Sequence, residues 1–133
     1  MGLTRFMLGF ILTLSFLASG CSTLADARNA EGQGIKRTYS ANFETVWGAA
    51  IKSLSDLKLD LASENKTSGY LLAQRGMGLF QMSYGENVAI FLKPKGSEST
   101  DVEVVSKKVM ATNIFAPNWS EDVHKGIQNN LKK

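Results

Sequence analysis

The stretch NFETVWGAAIKSLSDL, residues 42–57, decides the fold because it encodes an amphipathic helix that needs a partner surface. Its apolar residues recur three or four positions apart, which places them on one face of an α-helix. These residues are Phe43, Val46, Trp47, Ala50, Ile51, Leu54 and Leu57. Asn42 precedes them, where its side chain can accept a hydrogen bond from a free amide of the first turn. The rest of the chain must therefore supply a surface that covers this stripe.

Short segments on both sides of this helix have the alternation or composition of β-strands. They are residues 35–40, 57–62, 70–75, 87–93 and 100–109. The turn ENKTSG separates two of them, and its Gly69 is free to adopt a positive φ. Strands that are joined by short turns favour antiparallel pairing.

A second amphipathic helix is predicted near the C-terminus. Asn118 and Glu121 have the spacing of a capping box, with Asn in place of Ser or Thr. The apolar positions of this helix are Trp119, Val123, Ile127 and Leu131. The order β-α-β-β-β-β-α predicts an α+β domain over residues 35–133, with an antiparallel sheet of four or five strands and both helices on one face. The opposite face carries Asp101, Glu103 and Lys107 and can face water.

The N-terminus has the features of an export signal. Arg5 is followed by an apolar run from Phe6 to Leu17, which is short compared with the roughly 20 residues of a membrane-spanning helix. The stretch LASGC, residues 17–21, then ends at Cys21 and resembles the lipobox of bacterial lipoproteins. The residues by themselves also allow an ordinary secretory signal with a free buried cysteine, or an uncleaved membrane anchor.

The lipobox resemblance implies that residues 1–20 are a cleaved signal peptide and that Cys21 carries acyl chains such as palmitate. In lipoproteins of Gram-negative bacteria, a serine after the cysteine, here Ser22, favours transfer to the outer membrane. For such a host we expect a lipid anchor in that membrane and a domain in the periplasm. Residues 21–34 comprise this cysteine and a small, polar segment without periodicity, which predicts a flexible tether.

Three stretches carry a second resemblance: FETVWGAAIKSL at 43–54, ENKTSGYLLAQ at 64–74 and NIFAPNWSEDVHKGIQNNL at 113–131. In their order they are similar to small bacterial lipoprotein domains with a helix-grip, or TBP-like, α+β fold. Such domains occur in the C subunit of the β-barrel assembly machinery and in related uncharacterised lipoproteins. The resemblance implies an interaction or accessory role without catalytic residues.

Composition and single residues exclude several classes of function. Removal of Arg5 with the signal peptide would lower the net charge from +3 to +2, which is too balanced for a typical nucleic-acid-binding protein. The chain has one histidine, His124, which is expected at the surface or at the edge of the second helix. The carboxylates Asp60, Glu64, Asp101 and Glu103 are interpreted as solvated strand positions. We therefore expect neither an enzyme nor a metal or other cofactor.

Two connections are unusually apolar for surface loops: GMGLFQMSYG at 76–85 and VMATNIFAP at 109–117. They either extend the strands or fold back over the core, or they form an exposed patch for a partner or a ligand. The candidate patch residues are Met77, Leu79, Phe80, Met82, Tyr84 and Phe115. The favoured function is a non-enzymatic, membrane-anchored envelope lipoprotein that contacts another envelope protein. The alternative is a small periplasmic binding or carrier domain for a hydrophobic ligand held between the first helix, the sheet and residues 76–85.

Overall fold

The computed structural model describes residues 22–75, 86–108 and 117–132. Within them the chain forms an open five-stranded antiparallel sheet and three helices. The strands are β1 (Ile35–Tyr39), β2 (Asp60–Asn65), β3 (Tyr70–Gln74), β4 (Glu86–Pro94) and β5 (Thr100–Lys108); the helices are α1 (Leu24–Asn29), α2 (Phe43–Asp56) and α3 (Trp119–Leu131). The sheet order is β1-β5-β4-β3-β2, so β1 and β2 are the two edge strands. The predicted α+β class is confirmed, and α1 is an additional element in front of the predicted order.

Helix α2 has the predicted start and a well-defined end. The side chain of Asn42 accepts a hydrogen bond from the Thr45 amide at 2.9 Å. At the other end, the Leu59 amide donates to the Leu54 carbonyl at 2.9 Å, and Lys58 has a φ of 58°. This is a Schellman-type ending, with lysine where glycine is more common. Because the chain turns here, strand β2 begins at Asp60, three residues later than the leucine alternation predicts.

Helices α2 and α3 pack together on one face of the sheet, as predicted. Ser53 on α2 donates a hydrogen bond from its hydroxyl to the Val123 carbonyl on α3 at 3.1 Å. Gly126 lies opposite, and a Cβ atom at this position would overlap the Ser53 hydroxyl. The glycine therefore allows the two helices to approach closely, although glycine in a helix interior costs about 1 kcal/mol relative to alanine. The buried side chains of this face include Val46, Trp47, Leu54, Leu71, Val88, Ile90, Leu92, Val102, Val104, Val123 and Ile127.

The other face of the sheet was expected to meet water, and for the central strands this prediction is wrong. Helix α1 packs there and forms a second apolar cluster with alternate residues of β3, β4 and β5. The cluster comprises Ala27, Ala30, Leu72, Ala89, Phe91 and Val105. Strand β4 is consequently buried on both faces from Glu86 to Leu92.

The prediction of a flexible tether over residues 22–34 is also wrong where α1 forms. The Thr23 hydroxyl accepts a hydrogen bond from the Asp26 amide, and the Asp26 carboxylate accepts one from the Thr23 amide at 2.6 Å. This capping box satisfies two backbone groups, but a helix of six residues is too short to be stable alone. Ala27 and Ala30 are 0% and 3% exposed, so docking on the sheet supplies the missing stability.

Glu103 on β5 holds the segment between α1 and β1. One carboxylate oxygen accepts hydrogen bonds from the amides of Gly32 and Gly34, both at 2.7 Å, and the other lies 3.8 Å from the Lys36 ammonium group. Glu103 is only 8% exposed, so its interpretation as a solvated residue is wrong. A buried carboxylate requires donors, and these two amides provide them.

The contact between α2 and α3 predicts opposite effects for two helical glycines. We expect Gly126→Ala to lower the free energy of unfolding, because the added methyl group meets Ser53. The matched control is Gly48→Ala in α2, where nothing lies within 4 Å of an added Cβ, and it should raise the free energy by about 0.5–1 kcal/mol. Urea unfolding measures both values. A Gly126→Ala protein as stable as the control would contradict the close approach.

The Glu103 contacts predict that Glu103→Gln weakens the attachment of the 30–34 segment. A neutral acceptor forms weaker hydrogen bonds, so we expect a loss of about 1 kcal/mol in the free energy of unfolding. Hydrogen exchange at the Gly32 and Gly34 amides should become faster. Glu98→Gln, at an exposed position, is the control and should leave both measurements unchanged. Unaltered exchange in Glu103→Gln would show that the carboxylate does not hold these amides.

Candidate functional site

One end of the sheet brings together the start of the described chain and several strand ends. Gln74 near the end of β3 pairs with Asn87 at the start of β4, and Asn87 pairs with Lys107 near the end of β5. We call this region, residues 74–75, 86–87 and 107–108, the Asn87 end. The opposite end contains the turn at residues 95–99 and is called the Gly96 end.

Asn87 binds the N-terminal segment at this end. Its side-chain amide donates a hydrogen bond to the Ser22 carbonyl at 2.9 Å, and the residue is 4% exposed. The next residue, Thr23, forms the capping box of α1. The backbone is therefore held from Ser22 onward. Cys21, the predicted lipidation site, lies outside the described residues, one peptide bond before Ser22.

The surroundings of the Asn87 end include cationic and aromatic side chains beside the acidic residues Glu86 and Asp60. The guanidinium carbon of Arg75 lies 5.0 Å from the centroid of the Trp119 ring, and the Lys107 ammonium group lies 3.3 Å from the Gln33 side-chain oxygen. Lys108 is exposed. Two buried polar atoms here, the Ser22 hydroxyl oxygen and the Trp119 indole nitrogen, have no hydrogen-bond partner among the described residues.

The predicted apolar patch cannot be placed. Met77, Leu79, Phe80, Met82, Tyr84 and Phe115 all lie outside the described residues. The residues that flank them are described: the Arg75 amide donates to the Glu86 carbonyl at 3.0 Å, and the Trp119 amide donates to the Ser106 hydroxyl at 3.3 Å. Both predicted patch segments therefore leave and rejoin the described domain at the Asn87 end.

His124 is buried, so the expectation of a surface or boundary position is wrong. It is 0% exposed, because α3 packs against β1 as well as against α2. Its Nε2 lies 2.9 Å from the Ile35 carbonyl oxygen, and its Nδ1 lies 2.8 Å from the Tyr39 hydroxyl. The same hydroxyl is 3.1 Å from the His124 carbonyl oxygen. The ring thus links α3 to both ends of the edge strand β1.

These contacts assign one proton of the imidazole. A carbonyl only accepts, so Nε2 carries a proton toward Ile35. The single Tyr39 hydroxyl proton has two acceptors within reach, the His124 carbonyl oxygen and, in the neutral ring, Nδ1. Burial lowers the pKa of His124 below its usual 6.5, and the nearby positive charge of Arg37 acts in the same direction; the hydrogen bond to Ile35 and the Glu121 charge oppose it. Burial also raises the pKa of Tyr39 to about 12. A neutral histidine that is buried and doubly hydrogen-bonded in this way has a structural role.

Arg37 and Glu121 form an ion pair beside this network. The Arg37 Nη2 lies 2.6 Å from a Glu121 carboxylate oxygen, which joins β1 to the first turn of α3. Glu121 therefore contacts a strand rather than completing the predicted capping box. Asn118 does cap α3, because its side chain accepts a hydrogen bond from the Ser120 amide at 3.1 Å.

The described surface has clefts that differ from the predicted ligand site. In the predicted place, the space between α2 and the described sheet is occupied by the core side chains, among them Trp47 and Ile90. A cleft of about 290 Å³ opens on the α1 face beside β1, where Lys36 faces Glu103. A cleft of about 390 Å³ opens between α2 and β2 and includes Leu61, which is 40% exposed.

Metal sites and membrane spans were sought among the described residues alone. No group of three or more His, Cys, Asp or Glu residues in that part of the chain could hold a metal ion. None of the helices in the same part combines the length and the apolar composition that crossing a bilayer requires.

Comparisons with known proteins identify a distant structural neighbour. No family model matches the chain, and a search of curated proteins finds no match. A solved structure that is similar to this chain is an uncharacterized protein from Bacillus thuringiensis. It is 15% identical, with a TM-score of 0.47, and the alignment covers 73% of this chain and 93% of that protein. This likeness is too distant to carry an argument about function.

The histidine network predicts a defined dependence of stability on pH. Because the pKa of His124 is lowered in the folded protein, the unfolded chain binds a proton first as the pH falls below about 6.5. We therefore expect the free energy of unfolding to decrease from about pH 7 to about pH 5, above the range in which most carboxylates titrate. His124→Gln should flatten the profile in this window. A profile of the unaltered protein that is flat, or that rises toward low pH, would contradict the assignment.

Proposed function

We propose that this chain is a lipoprotein of the bacterial envelope, anchored through acyl chains on Cys21, and that its domain is a non-enzymatic interaction or accessory module. The proposed location is the periplasmic face of the outer membrane of a Gram-negative host. The proposed partners are the membrane itself, through the lipid anchor, and another envelope protein.

The observation that carries the proposal is the LASGC motif, residues 17–21, directly before a segment that is attached to the domain. The motif ends at Cys21, and the carbonyl of the next residue, Ser22, accepts a hydrogen bond from Asn87. Thr23 and Asp26 then cap α1. The proposed acylation site is therefore one residue away from a contact with the sheet.

The environment of His124 also supports a non-enzymatic role. General acid–base catalysis requires a group that can reach a substrate. Both ring nitrogens of His124 are instead engaged by Ile35 and Tyr39, and the residue is 0% exposed. The chain's single histidine is therefore committed to the contact between α3 and β1.

The alternative, a carrier domain for a hydrophobic ligand, has less support. The predicted ligand space is filled by core side chains in its described part, including Trp47, which is 6% exposed. The open cleft between α2 and β2 has a volume within the usual range for ligand sites, but Lys58 and Asp60 contribute to its wall. We therefore favour the interaction module.

The anchor predicts a direct chemical result. In the native protein, mass spectrometry of the N-terminal peptide should show a chain that starts at Cys21 and carries acyl groups. Cys21→Ser should move the protein from the membrane fraction to the soluble fraction, because each buried methylene contributes about 0.8 kcal/mol to membrane binding. The control Ser15→Ala, within the predicted signal peptide, should leave acylation unchanged.

An intact leader or an unmodified sulfur in the native protein would contradict the anchor. The partner is tested separately by crosslinking in membranes that contain the acylated protein. Recovery of a specific protein adduct is expected. If the acylated protein yields no adduct, the anchor stands but the accessory role does not.

A further inference from the structure

We propose that the domain sits directly on the bilayer in one orientation, with the Asn87 end against the lipid headgroups and the Gly96 end pointing away. This inference rests on the proposed function, because it requires acylation of Cys21. To the proposed function, the inference adds the surface of the domain that contacts the membrane. The partner of this surface is the headgroup layer of the membrane that holds the anchor.

The first argument is the length of free chain between the lipid and the domain. A flexible tether over residues 22–34 would span up to about 40 Å when fully extended, which would leave the domain free to rotate. In the structure, the Ser22 carbonyl accepts a hydrogen bond from Asn87, and α1 starts two residues later. The Cα atoms of Cys21 and Ser22 are about 3.8 Å apart across their peptide bond. The acyl chains are therefore attached next to the Asn87 end.

The second argument is the way α1 is fixed to the sheet. Its first residues are held at the Asn87 end, and the Glu31 carboxylate after the helix lies 2.6 Å from the ammonium group of Lys93, near the other end of β4. Helix α1 thus runs along β4, and its buried Ala27 and Ala30 contact the sheet between these points. Helix α1 is therefore attached to the sheet near both of its ends.

The third argument is the chemistry of the Asn87 end. Arg75, Lys107 and Lys108 bring cationic groups on long stems to this end, and such groups can reach phosphate oxygens while their stems stay against the protein. The Trp119 ring is buried in the main core cluster, and the Arg75 guanidinium carbon lies 5.0 Å from its centroid, so the ring supports Arg75 from within the domain. The acidic groups near this end are Asp26, whose carboxylate is used by the Thr23 cap, Glu86, which is buried, and Asp60, which is exposed at the edge strand.

The Gly96 end is far enough away to be distinguished by experiment. Strand β5 has nine residues, so the two ends of the sheet are separated by about 30 Å at roughly 3.3 Å per residue. Asp60 is exposed and pairs with Gln74 at the Asn87 end, whereas Ser97 is exposed in the turn of the Gly96 end. Acylation would consume Cys21, so a cysteine introduced at either position becomes the only free thiol.

The test places a fluorophore on Asp60→Cys or Ser97→Cys in the acylated, full-length mature protein. The protein is reconstituted in vesicles of phosphatidylethanolamine and phosphatidylglycerol that contain a lipid with a spin-labelled headgroup, which quenches only nearby fluorophores. Quenching at position 60 should be severalfold stronger than at position 97. Equal quenching at both positions, or stronger quenching at 97, would overturn the orientation.

Two further variants separate orientation from stability. A Gly/Ser insertion of about ten residues between Cys21 and Ser22 introduces a flexible tether without altering the folded domain. With this tether, quenching at the two positions should become similar. Asn87→Ala removes the hydrogen bond to Ser22 and should reduce the difference, with Asn129→Ala at an exposed position of α3 as its control. If the insertion leaves the difference intact, the short connection does not set the orientation.

Mass spectrometry of the same samples distinguishes the two proposals. An unmodified Cys21 removes the proposed function and the orientation together. Acylated Cys21 with equal quenching removes the orientation alone and leaves the lipoprotein assignment in place.

Discussion

The rest of the structure depends on one constraint: the central strands β4 and β5 have to be buried on both faces. Helices α2 and α3 cover one face with the larger core, and Gly126 allows them to lie close together over it. The second face carries Leu72, Ala89, Phe91 and Val105, and α1 covers them. Because α1 is used for this purpose, a segment that looks like a linker becomes part of the fold, and Ser22 is brought to the Asn87 end.

Buried polar groups define how the outer elements attach to this sheet. Glu103 receives the amides of Gly32 and Gly34, and His124 connects Tyr39 to the Ile35 carbonyl. Each of these groups would be costly to bury without its partners, so they select one arrangement of the N-terminal segment and of α3. Edge strand β1 is held by backbone pairing with β5 and by the hydrogen bond between the Ile35 carbonyl and His124 of α3.

The proposed orientation combines the proposed anchor with the geometry of the N-terminal segment. A lipid anchor on a flexible tether only confines a protein to the membrane surface. An anchor that is joined to the domain without such a tether also selects the end of the domain that meets the bilayer. The Gly96 end and the end of the exposed edge strand β2 at Asn65 would then face away from the membrane, where an envelope partner could reach them. Both sequence segments predicted to form an apolar patch join the described domain at the Asn87 end, beside the proposed membrane surface.

Local patterns in the sequence determined the α+β class, the strand order along the chain, the cap at Asn42 and the positive φ of Gly69, because each depends on neighbouring residues. Two further signals were present: Thr23 and Asp26 have capping-box spacing, and the unbroken apolar run from Val88 to Leu92 is typical of a strand that is buried on both faces. Only the tertiary structure decided which groups Glu103, His124, Gly126 and Asn87 contact. Their partners are at least 65 positions away in the chain, and the contacts exist only after the sheet and helices have packed, so no local pattern could reveal them.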